Sequence, residues 1–168
     1  GAKLSEAVSE AKALGDTEPD PRDDLSGLDV ARKLVIVARE MGLVLELDEV
    51  VIEPLVSPAL AAVEGVEAFM AALPGDDAAM EARRAEAAAA GEVLRYVGVV
   101  EAGGGARVEL ARYPATHAFA RLGATDNIFA FTTARYSARP LIVQGPVAGP
   151  EVTAGGVFGD LLRLAGSL

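Results

Sequence analysis

The apolar residues of this 168-residue chain change their period at Gly91, and that change limits the fold more than any single motif does. Before it they recur at helical spacing. Leu4, Val8, Ala11 and Leu14 predict a helix over 5–14 that stops at Gly15, and Val30, Leu34, Val37, Ala38 and Met41 predict a second over 26–41. Ser26, with Asp29 three residues on, resembles a capping box for that second helix. Further helices are expected at 66–73 and in the alanine-rich 76–90, with a short strand at 50–52 that Pro54 ends. After Gly91 the pattern is β-rich. Val93–Glu101 and Ala106–Tyr113 flank Gly103-Gly104-Gly105 as a hairpin, 128–133 and 140–144 read as two more strands, and 151–164 returns to helix. Helices first, strands later and one closing helix predict an α+β domain, a mixed or antiparallel sheet with helices packed on one face. The strand, glycine-rich turn, helix and acidic ribose partner of a Rossmann domain are missing.

Composition excludes several function classes. Twenty-five acidic against fifteen basic residues leave a net charge of −10, so a polyanion is repelled; neither nucleic acid nor an anionic membrane is an expected partner. The longest apolar run, Ala68–Leu73, is too short to span a bilayer. Zero cysteine and one histidine leave no thiolate or multi-histidine metal site, and a cytoplasmic location fits.

The densest chemistry lies in TEPDPRDDLSGLDVARK, residues 17–33. Pro19 and Pro21, two apart, predict an extended, ordered loop over 16–25 that holds Glu18, Asp20, Asp23 and Asp24 and leads into the second helix. On that helix Asp29 and Lys33 stand at i and i+4, on a face that borders the apolar stripe, so the pair is expected to be partly buried. A lysine held by a carboxylate can bind a substrate oxygen or transfer a proton. By spacing alone the same pair is also an ordinary helix ion pair, and the acidic loop an ordinary solvated turn beside a helix N-terminus.

This segment resembles the signature of homoserine dehydrogenases. EVLRYVG at 92–98 and GATDNIFAFTTARYSARPLIVQGPVAGPEVTAGGVFGDLLRLA at 123–165 resemble later parts of the same family, so the similarity covers most of the chain from Leu4 onward. The tail looks most like the C-terminal part of the bifunctional aspartate kinase/homoserine dehydrogenases. The resemblance implies NAD(P)-dependent reduction of aspartate 4-semialdehyde to homoserine, an aspartate-pathway step. Carried over by residue, Glu18 would bind the substrate's ammonium group and Asp24 would support that pocket. Asp29 would orient Lys33, which would contact the reacting oxygen, while a second family lysine lies before this chain begins. Gly149, just ahead of the last helix, would lie near the nicotinamide of NADP or NAD, although Val147 stands where the family usually has glycine. The resemblance places the nucleotide-binding domain and the monovalent-cation site before Leu4, so no metal is expected in this chain. Residues 4–150 are then the catalytic and dimerisation domain, and 151–168 a helix that would pack on the absent domain.

Two other features read as structural. Gly155, Gly156 and Gly159 form no phosphate motif and suit close helix packing, and His117 has no acidic neighbour in sequence. Alternation in Ile128–Phe131 and the run Leu141-Ile142-Val143 put apolar side chains on both sheet faces. That pattern predicts a homodimer through strands between 92 and 144, as the resembling family also implies. An alternative from another class is a dimerisation or interaction module that has lost its chemistry.

Overall fold

The computed structural model describes residues 2–123, 126–146 and 150–167, and divides the chain into two compact units, 1–114 and 115–168. In the first, helix α1 (Leu4–Leu14) ends as expected at Gly15, whose φ of 78° is the left-handed conformation that closes a helix. A short helix, α2 (Pro21–Leu25), and a longer one, α3 (Leu28–Glu40), then bracket the turn into the sheet region. The expected loop over 16–25 is thus helical from Pro21 onward. A proline at the first helical position has no N–H to lose, and the Asp20 carboxylate caps the turn by accepting from the Arg22 backbone N–H.

The expected capping box at Ser26 and Asp29 does not form. The N-cap of α3 is Gly27, with φ 79°, and the Ser26 hydroxyl instead accepts from the Leu28 N–H at 3.2 Å. A helix over Pro58–Ala61 (α4) was not foreseen; Ser57 caps it, again with proline at the first position. Helices α5 (Val66–Ala72) and α6 (Asp77–Ala89) follow the expected spans closely.

Strands β1 (Val51–Ile52), β2 (Glu92–Val100) and β3 (Ala106–Pro114) form a mixed sheet in the order β1-β3-β2. β2 and β3 are the expected antiparallel hairpin, in register from Glu92–Pro114 to Val100–Ala106, while β1 runs parallel to β3. One face of the sheet, carrying Tyr96, Gly98, Val100, Ala106 and Val108, packs on Ala31, Val35 and Ala38 of α3. Val30 and Leu34 come so close to Gly98 that a Cβ there would lie 3.3 Å from each. A second apolar cluster joins α1, α2, α4 and α5 through Val8, Leu25, Leu60 and Phe69, with Val56 and Leu73. Leu25 belongs to this cluster and Ala31 to the sheet cluster, so the corner from α2 to α3 is the bridge between two cores.

The second unit contains β4 (Asp126–Phe131), β5 (Leu141–Pro146) and helix α7 (Pro150–Gly166). β4 and β5 pair antiparallel as a separate two-stranded sheet, so the later strands do not extend the β2–β3 sheet as one surface. Phe129 and Phe131, two apart and therefore on one face, stack with centroids 6.3 Å apart. His117 caps a short 3-10 turn: its Nδ1 accepts from the Phe119 N–H and its ring meets Phe119 edge-on, the structural role expected of it.

Candidate functional site

The acidic segment folds into an open cleft of about 380 Å³ lined by Glu18, Asp23, Asp24, Leu28, Asp29 and Arg32. Its two walls are the residues around α2 and the first turns of α3. Four carboxylates face one guanidinium there, an arrangement that favours a cationic ligand group.

Each predicted side chain has a definite place. Asp24, on α2, accepts the backbone N–H of Glu18 at 2.9 Å, so its carboxylate fixes the loop that presents Glu18. The Lys12 ammonium holds the next carbonyl, that of Pro19, at 3.0 Å. Glu18 itself is exposed and lines the cleft. On α3 the Lys33 ammonium meets the Asp29 carboxylate at 2.6 Å. This pair is not partly buried as expected: its side chains are 61% and 57% exposed. The apolar stripe of α3 is turned into the sheet, and Asp29 and Lys33 sit far enough round the helix to remain in water. The structure therefore brings Glu18, Asp24 and Asp29 to one cleft and ties Lys33 to its edge through Asp29. Gly149 lies outside the described residues, as does Val147.

Three lining residues carry no predicted role, Asp23, Leu28 and Arg32. Asp23 was only one acid among several, and Arg32 is legible in hindsight: it follows Asp29 by three and Leu28 by four, so all three share a helix face.

The corner that carries these groups is braced from beneath. Gly27 is buried against Tyr96, and a Cβ built on it would lie 2.0 Å from the Tyr96 hydroxyl oxygen. That hydroxyl donates to the Glu53 carbonyl at 2.8 Å, and burial pushes its pKa up. The Glu53 carboxylate accepts from the Leu110 N–H of β3 and from Arg83 of α6. The start of α3 is thus seated on the end of the sheet.

Neither a nucleotide nor a metal finds a built site among the described residues. The one parallel pair, β1 with β3, is two residues long and leads into no glycine-rich turn and helix of the dinucleotide-binding kind. No group of three or more His, Cys, Asp or Glu side chains there is arranged to hold a metal ion. No described helix is long and apolar enough to cross a membrane.

A family model described as homoserine dehydrogenase matches residues 1–162. The chain is 56% identical, over 98% of its length, to a Zea mays protein named bifunctional aspartokinase/homoserine dehydrogenase 2, chloroplastic, of which it covers 18%. It is 50% identical to an Emericella nidulans homoserine dehydrogenase, covering 97% of this chain and 46% of that one. Among solved structures, a Staphylococcus aureus homoserine dehydrogenase superposes with a TM-score of 0.73 at 26% identity, over 98% of this chain and 37% of its own. The chain therefore spans less than half the length of the relatives it matches here.

Proposed function

The chain belongs to the homoserine dehydrogenase family, and on that premise we propose that it is the catalytic and dimerisation part of an NAD(P)-dependent enzyme that reduces aspartate 4-semialdehyde to homoserine. The observation that carries this reading is the cleft itself, in which Glu18 and Asp24 stand beside an Asp29 carboxylate bonded to Lys33. An amino-acid aldehyde offers a cation at one end and a reacting oxygen at the other. A site with an acidic wall and a tethered lysine matches those two ends.

In this reading Glu18 pairs with the substrate ammonium, and Asp24 acts by holding the Glu18 backbone. Asp29 orients Lys33, and Lys33 places positive charge and a proton donor at the oxygen that gains electron density when the carbonyl is reduced. The described residues form no dinucleotide site, so the cofactor, NADP or NAD, is assigned to another part of the enzyme, with Gly149 as this chain's contribution near it. Residues 4–150 are the catalytic and dimerisation portion, and 151–168 the helix that packs on the nucleotide-binding part. Dimerisation is supported by the exposed apolar strip of β5, where Leu141, Ile142 and Val143 are 39–52% exposed. A protein without cysteine suits the cytoplasm.

The test is made in the complete enzyme. Lys33→Ala should lower kcat/KM by at least about 10²-fold, the scale of a positioned proton donor or charge stabiliser. Glu18→Gln should chiefly raise KM. A near-normal rate in a folded Lys33→Ala enzyme would return the pair to an ordinary helix salt bridge and leave the chain an interaction module. The isolated chain should show neither turnover nor appreciable NADP binding by calorimetry. Sedimentation at micromolar concentration should give a dimer, and a clean 17.2 kDa species would contradict that.

A further inference from the structure

Arg22 stands beside the cleft without lining it, and its guanidinium reaches three separate parts of the first unit. Its Nε lies 2.9 and 3.0 Å from the two carboxylate oxygens of Asp20, and its Nη2 also meets that carboxylate. Nη1 donates to the Val63 carbonyl in the connection between α4 and α5. The guanidinium carbon sits 5.4 Å from the centroid of the Phe69 ring, which is fully buried in the helical core. One planar cation thus joins the acidic loop, a second backbone segment and the core. The Asp20 carboxyl is held below its ordinary value, first by the Arg22 hydrogen bond.

From Asp20 the chain reaches Glu18 through Pro19 alone. The Pro19 ring fixes its own φ, and Pro21 restricts Asp20, so few soft torsions separate the anchored carboxylate from the presented one. A shift at Asp20 is passed on to Glu18 with little to absorb it.

We propose that Arg22 is a positioning residue for the ammonium-binding end of the site, acting through Asp20 and the proline-stiffened loop to hold Glu18 in place. The proposal rests on the assignment of Glu18 to the substrate ammonium. Lysine is not an adequate replacement, because a single ammonium cannot grip a carboxylate with two nitrogens, bond a carbonyl on the far side and stack on a ring at once.

The experiment is a double-mutant cycle on KM for homoserine in the complete enzyme, using Arg22→Lys, Glu18→Gln and both together, with thermal midpoints measured in parallel. Arg22→Lys should raise KM about five- to tenfold and lower kcat by much less, since Lys33 on α3 keeps its own support. In the Glu18→Gln background Arg22→Lys should add almost nothing to KM, because the residue through which it acts is already disabled. Where Arg22→Lys fails to fold, Asp20→Asn, which keeps the shape and removes the ion pair, replaces it with the same expected split. An unaffected KM in the folded Arg22 or Asp20 variant, with Glu18→Gln impaired, overturns this proposal alone, as do KM effects that multiply in the double variant. An unaffected KM in Glu18→Gln overturns the Glu18 assignment and this proposal with it.

Discussion

Fourteen hydrophobic side chains and Pro21 are buried among the described residues of the first unit, whereas no described residue beyond Pro114 is buried. The later unit is not less apolar for it: Val157, Phe158, Leu161, Leu162 and Leu164 of α7 are 57–61% exposed, and the Leu141–Val143 run of β5 is open as well. The first unit carries two cores and the acidic cleft between them. The second holds a paired strand ribbon and a long helix whose apolar surface has no counterpart within its own unit. Two strands seldom suffice for a stable sheet alone, so these surfaces suit the second subunit and the nucleotide-binding part of the proposed enzyme. The proposed catalytic groups and the proposed association surfaces are thereby separated along the chain.

The largest expected effect is in the first unit. Phe69→Ala removes a fully buried ring and the partner of the Arg22 cation, and should destabilise the chain by about 3–5 kcal/mol in urea denaturation. A loss below about 1 kcal/mol would erase the contrast between the units. Next comes the strand ribbon. Ile142→Asp places a charge in the proposed interface and should raise the dimer dissociation constant by about thirtyfold or more, measured by sedimentation, with little change in helix content by circular dichroism.

A smaller effect separates the units by pH. The carboxyls of Asp20 and Asp77, in the first unit, lie below their ordinary values, mainly because Arg22 and Ser5 donate hydrogen bonds to the charged forms. A depressed folded pKa means that this stabilisation is complete above about pH 4 and is lost as pH falls through the lowered value. Asp20→Asn should lower stability most at neutral pH, where this stabilisation is complete, and least below the lowered pKa, so that part of the acid unfolding curve becomes flatter. Smallest of all, Phe158→Ser on α7 should change the stability of the separate chain by no more than about 0.5 kcal/mol while weakening the complete enzyme. A large loss in the separate chain would show that α7 is already packed there.

Much of the first unit was legible from its residues. The α1 stop at Gly15, the span of α3 and the β2–β3 hairpin followed from period and punctuation. What failed was local and had a physical cause. Pro21 was read as a helix breaker when its place at the first position makes it an initiator, and Ser26 was given a cap that Gly27 performs in a left-handed conformation. Glu18, Asp24 and Asp29 do come together at one cleft, but their roles were drawn from family likeness, since spacing alone described an ordinary ion pair equally well. Arg22 was invisible in the sequence because its partners, Val63 and Phe69, are forty-odd residues away and approach only through the packing of α5.

Gly27 has a consequence for how far this segment can vary. A Cβ there would meet the Tyr96 oxygen at 2.0 Å, the Ile52 methyl at 2.8 Å and the Tyr96 ring at 3.1 Å, and the backbone φ of 79° disfavours any L side chain even with space made. Replacing Tyr96 with a smaller residue removes two of those collisions and neither of the other obstacles, so no single compensating substitution opens the position. Exposed Asp23, Arg32 and Leu28 can change without disturbing the backbone of the joint between α2 and α3, whereas at Gly27 every other residue brings the same added carbon.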